Sequence, residues 1–405
     1  MKKVHNFFRK RKQLFISLGI ILFLVIGTIL VILYGKGYRF SPDRGIAGTG
    51  LLVTTSIPNG ASVYIDGHLT TATDNTINLA PGWYTIKIAK DGYFPWEKKI
   101  HVQAEIVAKA EALLFPTAPK LESITSSGAQ NPLIDPSHTR IAYIVASQSA
   151  RKNGIYVLAM NANPLLAFQG AATQIADDTV DIFTNSTYKW SPDSQEILAT
   201  IPSETSETTY LLKTNTFNQA PVDVTATLQA TQNAWEKDQL EKEKARLATI
   251  KKPVRSMLTK NFTIFAWSPD NLKILYQASE SATLPIIIKP RLVGTNNTPE
   301  ERNIQKDKLY VYDILEDRNY QIDLPQPEEQ KNTSFNWLPD SKHLVWVHNK
   351  KIDIMEYDGT NITTVYAGPF DPQYVFPWAT GTKIVILTNL ENALSSPNLY
   401  TIELR

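Results

Sequence analysis

Cysteine is absent from this chain of 405 residues. Its absence removes disulfides, thiolate metal sites and thiol nucleophiles together. It leaves the compartment open, because many exported bacterial proteins also lack disulfides. An excess of one charge is missing too: 41 Lys and Arg stand against 39 Asp and Glu, a formal +2. The balance is uneven, since Lys2, Lys3, Arg9, Lys10, Arg11 and Lys12 put +6 into the first 13 residues and leave −4 for the remainder. A mildly acidic body lacks the basic footprint that a phosphate backbone requires, so nucleic acid is not an expected partner.

Catalytic signatures are missing as well. No G-x-S-x-G elbow, H-E-x-x-H helix, Walker loop or EF-hand pattern occurs. Ser149-Ala150-Arg151-Lys152 fits S-x-x-K by chance, with no supporting motif. Gly45 to Gly50 is Gly-rich but precedes a strand pattern, the wrong context for phosphate. Asp177 and Asp178 are adjacent, so on a strand they face opposite sides and cannot act as a pair. His68 and His101 are too isolated for a metal site. No catalytic residue, metal or cofactor is expected.

What is present begins with one long apolar run. From Leu14 to Tyr34 no residue is charged, and 21 helical residues at about 1.5 Å each span the roughly 30 Å hydrocarbon core. A cleaved signal peptide would have an apolar region of only about 7 to 15 residues ending in small side chains. Here Tyr34, Gly35 and Lys36 follow, so a retained membrane helix is expected over 14–34. The basic cluster precedes it, which places residues 1–13 in the cytoplasm and the rest outside. Residues 35–49 read as a flexible linker.

Over 50–115 short alternating runs bounded by turn residues predict strands: Leu51 to Ile57, Ala61 to Ile65, Trp83 to Ala89, Lys98 to Val102 and Glu105 to Leu113. Pro58-Asn59-Gly60, Asp66-Gly67 and Asp91-Gly92 are the turns between them. A small β-sandwich follows. The run Ser56 to Gly67, then Leu79, Pro81, Gly82, Tyr84, Lys90, Asp91, Gly92 and Tyr93, resembles the PEGA domain, with Asn59 where the family's motif has Glu. That resemblance implies a domain outside the cell, beside a membrane anchor, that holds surface-layer or cell-wall glycan. Tyr93, Phe94 and Trp96 are the candidate ligand-binding aromatics, because flat faces pack against sugar rings. The competing reading has them plugging the end of the sandwich core.

Over 120–405 an internal repeat sets the architecture. Units start at Ile134, Trp190, Trp267, Trp337 and Trp378. An apolar run follows seven residues later at Ile141, Ile197, Ile274 and Leu344, and six later at Ile384. Pro and Asp inside the Trp-Ser-Pro-Asp motif are accounted for by turn chemistry alone. The pattern resembles the Tol-protein-B-like, WD-repeat-related β-propellers, with five blades or six. Residues 228–250 carry strong helix formers and predict a helical insertion that Pro253 stops. It is either a solvated helix on the propeller rim or a docking arm. Leu284 to Arg291 is a second insertion, with an apolar run that reads as exposed.

The expected molecule is mainly β: a single-pass membrane protein with an extracytoplasmic PEGA-like sandwich and a propeller. Its expected role is non-catalytic binding or scaffolding, with glycan on the small domain and a protein partner on the propeller face or helical insertion. The alternatives are an extracytoplasmic hydrolase using carboxylates in the propeller funnel, and a sensor, for which 13 cytoplasmic residues are few.

Overall fold

A computed structural model describes residues 2–35, 38–41, 45–146, 148–160, 172–324, 333–390, 392 and 396–405. Helix α1 runs over Lys2–Gly35. Within it Phe15–Gly35, 21 residues without a charge and with no side chain buried, is long and apolar enough to cross a membrane. The remaining architecture is mainly β. The chain forms two compact units: Met1–Lys90 with Pro95–Leu114 and Leu292–Asn297, and Asp91–Phe94 with Phe115–Arg291 and Thr298–Arg405.

In the first unit the segment expected as a flexible linker is partly ordered. Arg39–Ser41 pairs antiparallel with Gly45–Ala47, and Tyr38 Oη donates to Glu105 Oε1 at 2.9 Å. Gly48 permits this, since a Cβ there would lie 3.3 Å from the Tyr38 ring.

Seven strands then form two sheets. One has Gly50–Ile57 between Asn75–Leu79, antiparallel, and Val107–Leu113, parallel. The other runs His68–Ala72, Ser62–Ile65, Gly82–Ala89, Trp96–Val102. Alternation assigns the inner faces: Leu52, Thr54, Ser56, Ala108, Ala110 and Ala112 from the first, Val63, Ile65, Ile86, Ile88, Ile100 and Val102 from the second. Thr73 is buried in the loop before Asn75. Its hydroxyl meets Ser56 Oγ at 2.7 Å and accepts from Ala61 N at 2.9 Å, so both buried polar groups are satisfied.

Among the described residues the second unit holds five four-stranded antiparallel sheets. Sheet I is Gln130–Ile134, Arg140–Val145, Gly154–Ala159 and Ala172–Asp177. Sheet II is Thr187–Trp190, Glu196–Pro202, Glu207–Lys213 and Val222–Asp223. Sheet III is Phe262–Trp267, Lys273–Ala278, Leu309–Asp313 and Arg318–Ile322. Sheet IV is Ser334–Trp337, His343–His348, Lys351–Glu356 and Thr363–Ala367. Sheet V takes Val375–Pro377, Lys383–Thr388 and Asn398–Glu403 from the end of the chain, and its fourth strand, Leu121–Ser123, from the unit's beginning. Apolar clusters join sheets I and II, I and V, and III and IV. This arrangement is propeller-like, with the first strand of the unit locking the last sheet.

Register corrects the fifth repeat. The residues opposite Ile141, Ile197, Ile274 and Leu344 are Ile134, Trp190, Trp267 and Trp337, and the residue opposite Ile384 is Pro377, not Trp378. All five offsets are therefore seven residues. Trp378 stands where the other units have Asp135, Ser191, Ser268 and Leu338, and its N–H donates to Lys383 O as theirs do to Arg140, Glu196, Lys273 and His343.

Helix α2 spans Leu228–Thr249 with no buried residue. Pro253 does not merely stop it: this proline sits in the first turn of a second helix, α3, Lys252–Asn261, where its missing N–H is no loss. From α3, Val254 and Leu258 join Ile250 in covering Tyr276 and Tyr310 of sheet III. In the other insertion Leu284 is buried in the same cluster and Ile287 packs against it, so of its apolar run Ile286 is the clearly exposed member.

Candidate functional site

The aromatics expected to face a ligand are not one exposed surface. Trp96 is 4% exposed. It begins an inward-alternating strand opposite Ile88, so its ring belongs to the core rather than to a sugar. Tyr93 and Phe94 are half-buried. Tyr93 bridges to Pro116 and Phe94 N donates to Phe115 O at 2.9 Å, which fixes both on backbone.

The outward positions of the Gly82–Ala89 and Trp96–Val102 pair present a different face. Strand parity puts Trp83, Thr85 and Lys87 outside, opposite His101, Lys99 and Glu97. Trp83 is 52% exposed. Its ring stacks on His101 with centroids 4.7 Å apart and planes at 14°, and Lys99 Nζ lies 5.7 Å from the indole centroid. His101 is fixed from its backbone, whose N–H donates to Asn297 Oδ1 at 3.1 Å. The result is an aromatic plate beside an ammonium group on a rigid hairpin. Sequence reading set His101 aside as an isolated metal ligand and took Trp83 only as the start of a strand. The available signal was parity: Tyr84, Ile86 and Ile88 point inward, so Trp83 must point outward.

The acids of the repeats do turn work. Asp193 Oδ1 accepts from Ser191 Oγ at 2.6 Å and Gln195 N at 3.0 Å, and these bonds hold its carboxyl below the usual range. Asp270 and Asp340 accept equivalent turn amides, from Leu272 at 2.9 Å and from Lys342 at 2.9 Å. Asp177 and Asp178 accept from Thr179 and Thr184 within their own loop. Asp313 is pushed up by burial, with Lys273 Nζ 3.7 Å away opposing the shift. Among the described residues no group of three or more His, Cys, Asp or Glu gathers as a metal site.

A buried network pins the insertion before sheet III's third strand. Asp317 Oδ2 accepts from Ile287 N at 2.7 Å, Ile288 N at 3.0 Å and Arg291 Nη1 at 3.0 Å. Its Oδ1 takes Tyr312 Oη at 2.9 Å and lies 3.1 Å from Arg302 Nη2. Glu300 links both arginines, at 2.8 and 3.0 Å.

Comparison with known families places the small unit. Residues 49–117 match the PEGA domain. The match covers this part of the chain only. No curated protein matches the chain. Among solved structures, TolB from Agrobacterium tumefaciens is 13% identical, covering 69% of this chain and 74% of that one, with a TM-score of 0.21. TolB from Acinetobacter baumannii is 13% identical over 79% of this chain and 59% of that chain, TM-score 0.23. The β-propeller domain of the Trilobed protease from Pyrococcus furiosus is 13% identical over 88% and 95%, TM-score 0.21. Scores at this level bear on neither activity nor partners. The five sheets and their register describe the second unit independently.

Proposed function

We propose that this protein is a single-pass, membrane-anchored binding and scaffold protein of the cell exterior, without catalytic activity. In this reading sheets I to V are five blades of a closed propeller, α1 is a retained anchor with its basic end in the cytoplasm, and the PEGA-like module contacts cell-wall or surface-layer glycan. The propeller and its helical insertion engage a protein partner. The observation that carries the proposal is the exposed Trp83 plate stacked on His101 with Lys99 beside it. It offers a sugar ring a flat apolar face and an acidic substituent a cation. Support for the location comes from α1 and from the excess of basic residues before it.

The test is capture of the full-length protein, in detergent micelles, by immobilised cell-wall glycan and by surface-layer glycan. Native protein is expected to be retained and Trp83→Ala to lose about tenfold in affinity, as removal of an exposed aromatic contact implies. Lys99→Gln should weaken binding to acidic glycans alone. Failure of native protein to bind either glycan would remove the glycan assignment and leave the small unit as a spacer.

A further inference from the structure

Residues of sheets III and IV line an open cleft of about 530 Å³, within the ~300–1,000 Å³ range of ligand pockets. Its lining includes the apolar side chains Phe265, Leu309, Leu324 and Phe335 and the acids Asp307 and Asp323. Phe265 reaches it through an irregularity in the sheet. Ile264 pairs with Tyr276 and Ala266 with the very next residue, Leu275, so Phe265 is an extra residue without a partner. A bulge of this kind re-aims a side chain and is over-represented beside sites. Here it leaves a phenylalanine ring 50% exposed on the edge strand of sheet III, where pairing would otherwise set its direction. Phe335 is fixed by stacking on Trp346, centroids 6.3 Å apart and planes at 8°. Asp307 is held at a positive φ of 65°, with its carbonyl receiving Gln277 Nε2 at 3.1 Å.

We infer that this cleft is a docking pocket for an arginine side chain on an extended segment of a partner protein. Aromatic rings beside two exposed carboxylates present apolar surface and negative charge together, a pairing that a wholly apolar group would use only in part. Arginine satisfies both: its aliphatic stem covers apolar surface, its guanidinium stacks on a phenyl face, and its fork bonds carboxylates. Among the described lining residues Lys308 is the one cation and stands beside Asp307, so acids outnumber bases there.

The inference rests on the binding-protein reading but fails separately from it. The probe is the blocked pentapeptide acetyl-Gly-Leu-Arg-Leu-Gly-amide, titrated calorimetrically into the full chain in detergent, with the citrulline peptide as its uncharged isostere. The arginine peptide is expected to bind and the citrulline peptide to bind at least about tenfold more weakly. Asp323→Asn and Phe265→Ala should each weaken the arginine peptide by about tenfold while the melting temperature stays within about 2 °C, because both side chains lie at a surface. No heat with the arginine peptide, equal affinity for citrulline, or full binding by folded Asp323→Asn and Phe265→Ala would each overturn it. A protein that still captures glycan yet ignores the arginine peptide refutes this pocket alone. Peptide binding that survives loss of glycan capture leaves it standing.

Discussion

Asp317 is the residue that pins the start of the insertion before sheet III's third strand. It is 1% exposed, and burial alone would push its carboxyl up. The Ile288 and Ile287 amides, the Tyr312 hydroxyl and Arg302 outweigh that and hold it below the usual range. A folded value below the unfolded value of about 3.9 means that the ionised group contributes stability above that pH. The contribution fades as pH falls through the folded value. Asp317→Ala is expected to cost about 3–5 kcal/mol at neutral pH, because it leaves Arg291 and Arg302 with Glu300 as their remaining anion and takes the acceptor from the Ile287 and Ile288 amides and the Tyr312 hydroxyl. The gap between native and variant urea midpoints should narrow steadily below about pH 4. A gap that is the same at pH 7 and pH 3 would show that lost packing, not charge, sets the effect. None of this was legible in the sequence, where Asp317 stands in an ordinary polar turn. Its partners arrive 26 and 15 residues earlier, from a loop whose path no local pattern encodes.

The repeating element is the turn after each sheet's first strand, and it was largely legible. Position five of each turn has positive φ: His138 at 56°, Ser194 at 63°, Asn271 at 58°, Ser341 at 57° and Gly381 at 66°. Each of these N–H groups donates back to the residue three before it. Sequence reading found these turns from Pro and Asp but took Trp378 as the fifth anchor, because an indole is the louder signal than the proline beside it. Only cross-strand register separates the two. Amphipathicity was a similarly partial guide to the insertion. Helix α2 was visible as a run of helix formers, whereas α3 is short and its proline read as a terminator. Their roles divide by burial. Leu258→Ala in α3 removes a side chain packed under sheet III and should cost about 2–5 kcal/mol. Leu240→Ala in α2, where the side chain is exposed, should stay within about 0.5 kcal/mol. Comparable losses in both variants, read from chemical denaturation, would mean that α2 packs more closely than its burial indicates.

At the scale of the whole molecule the second unit is tied by its ends: Leu121 pairs with Ile402, and Glu403 N donates to Lys120 O at 2.9 Å. Partners so distant in sequence cannot be read from a repeat, and the three-residue strand Leu121–Ser123 has no periodicity to announce it. The apolar N-terminal helix was legible for the opposite reason, since its signal is local and long. The proposed orientation rests on charge: six basic residues precede the apolar run, and moving them across a bilayer is unfavourable. The absence of native cysteine makes this directly measurable, because any introduced thiol is the only one. Glu204 is exposed in the turn between two strands of sheet II, and Asn6 lies in the basic N-terminal stretch. In intact cells a membrane-impermeant maleimide should label Glu204→Cys fully and leave Asn6→Cys unlabelled until the membrane is opened. The reverse pattern would invert the topology. Loss of the Asn6→Cys thiol from the mature band altogether would mean that the helix is a cleaved leader. In that case only the proposed glycan and protein contacts would hold the exported protein at the surface, and Trp83→Ala would raise the fraction released from the cell.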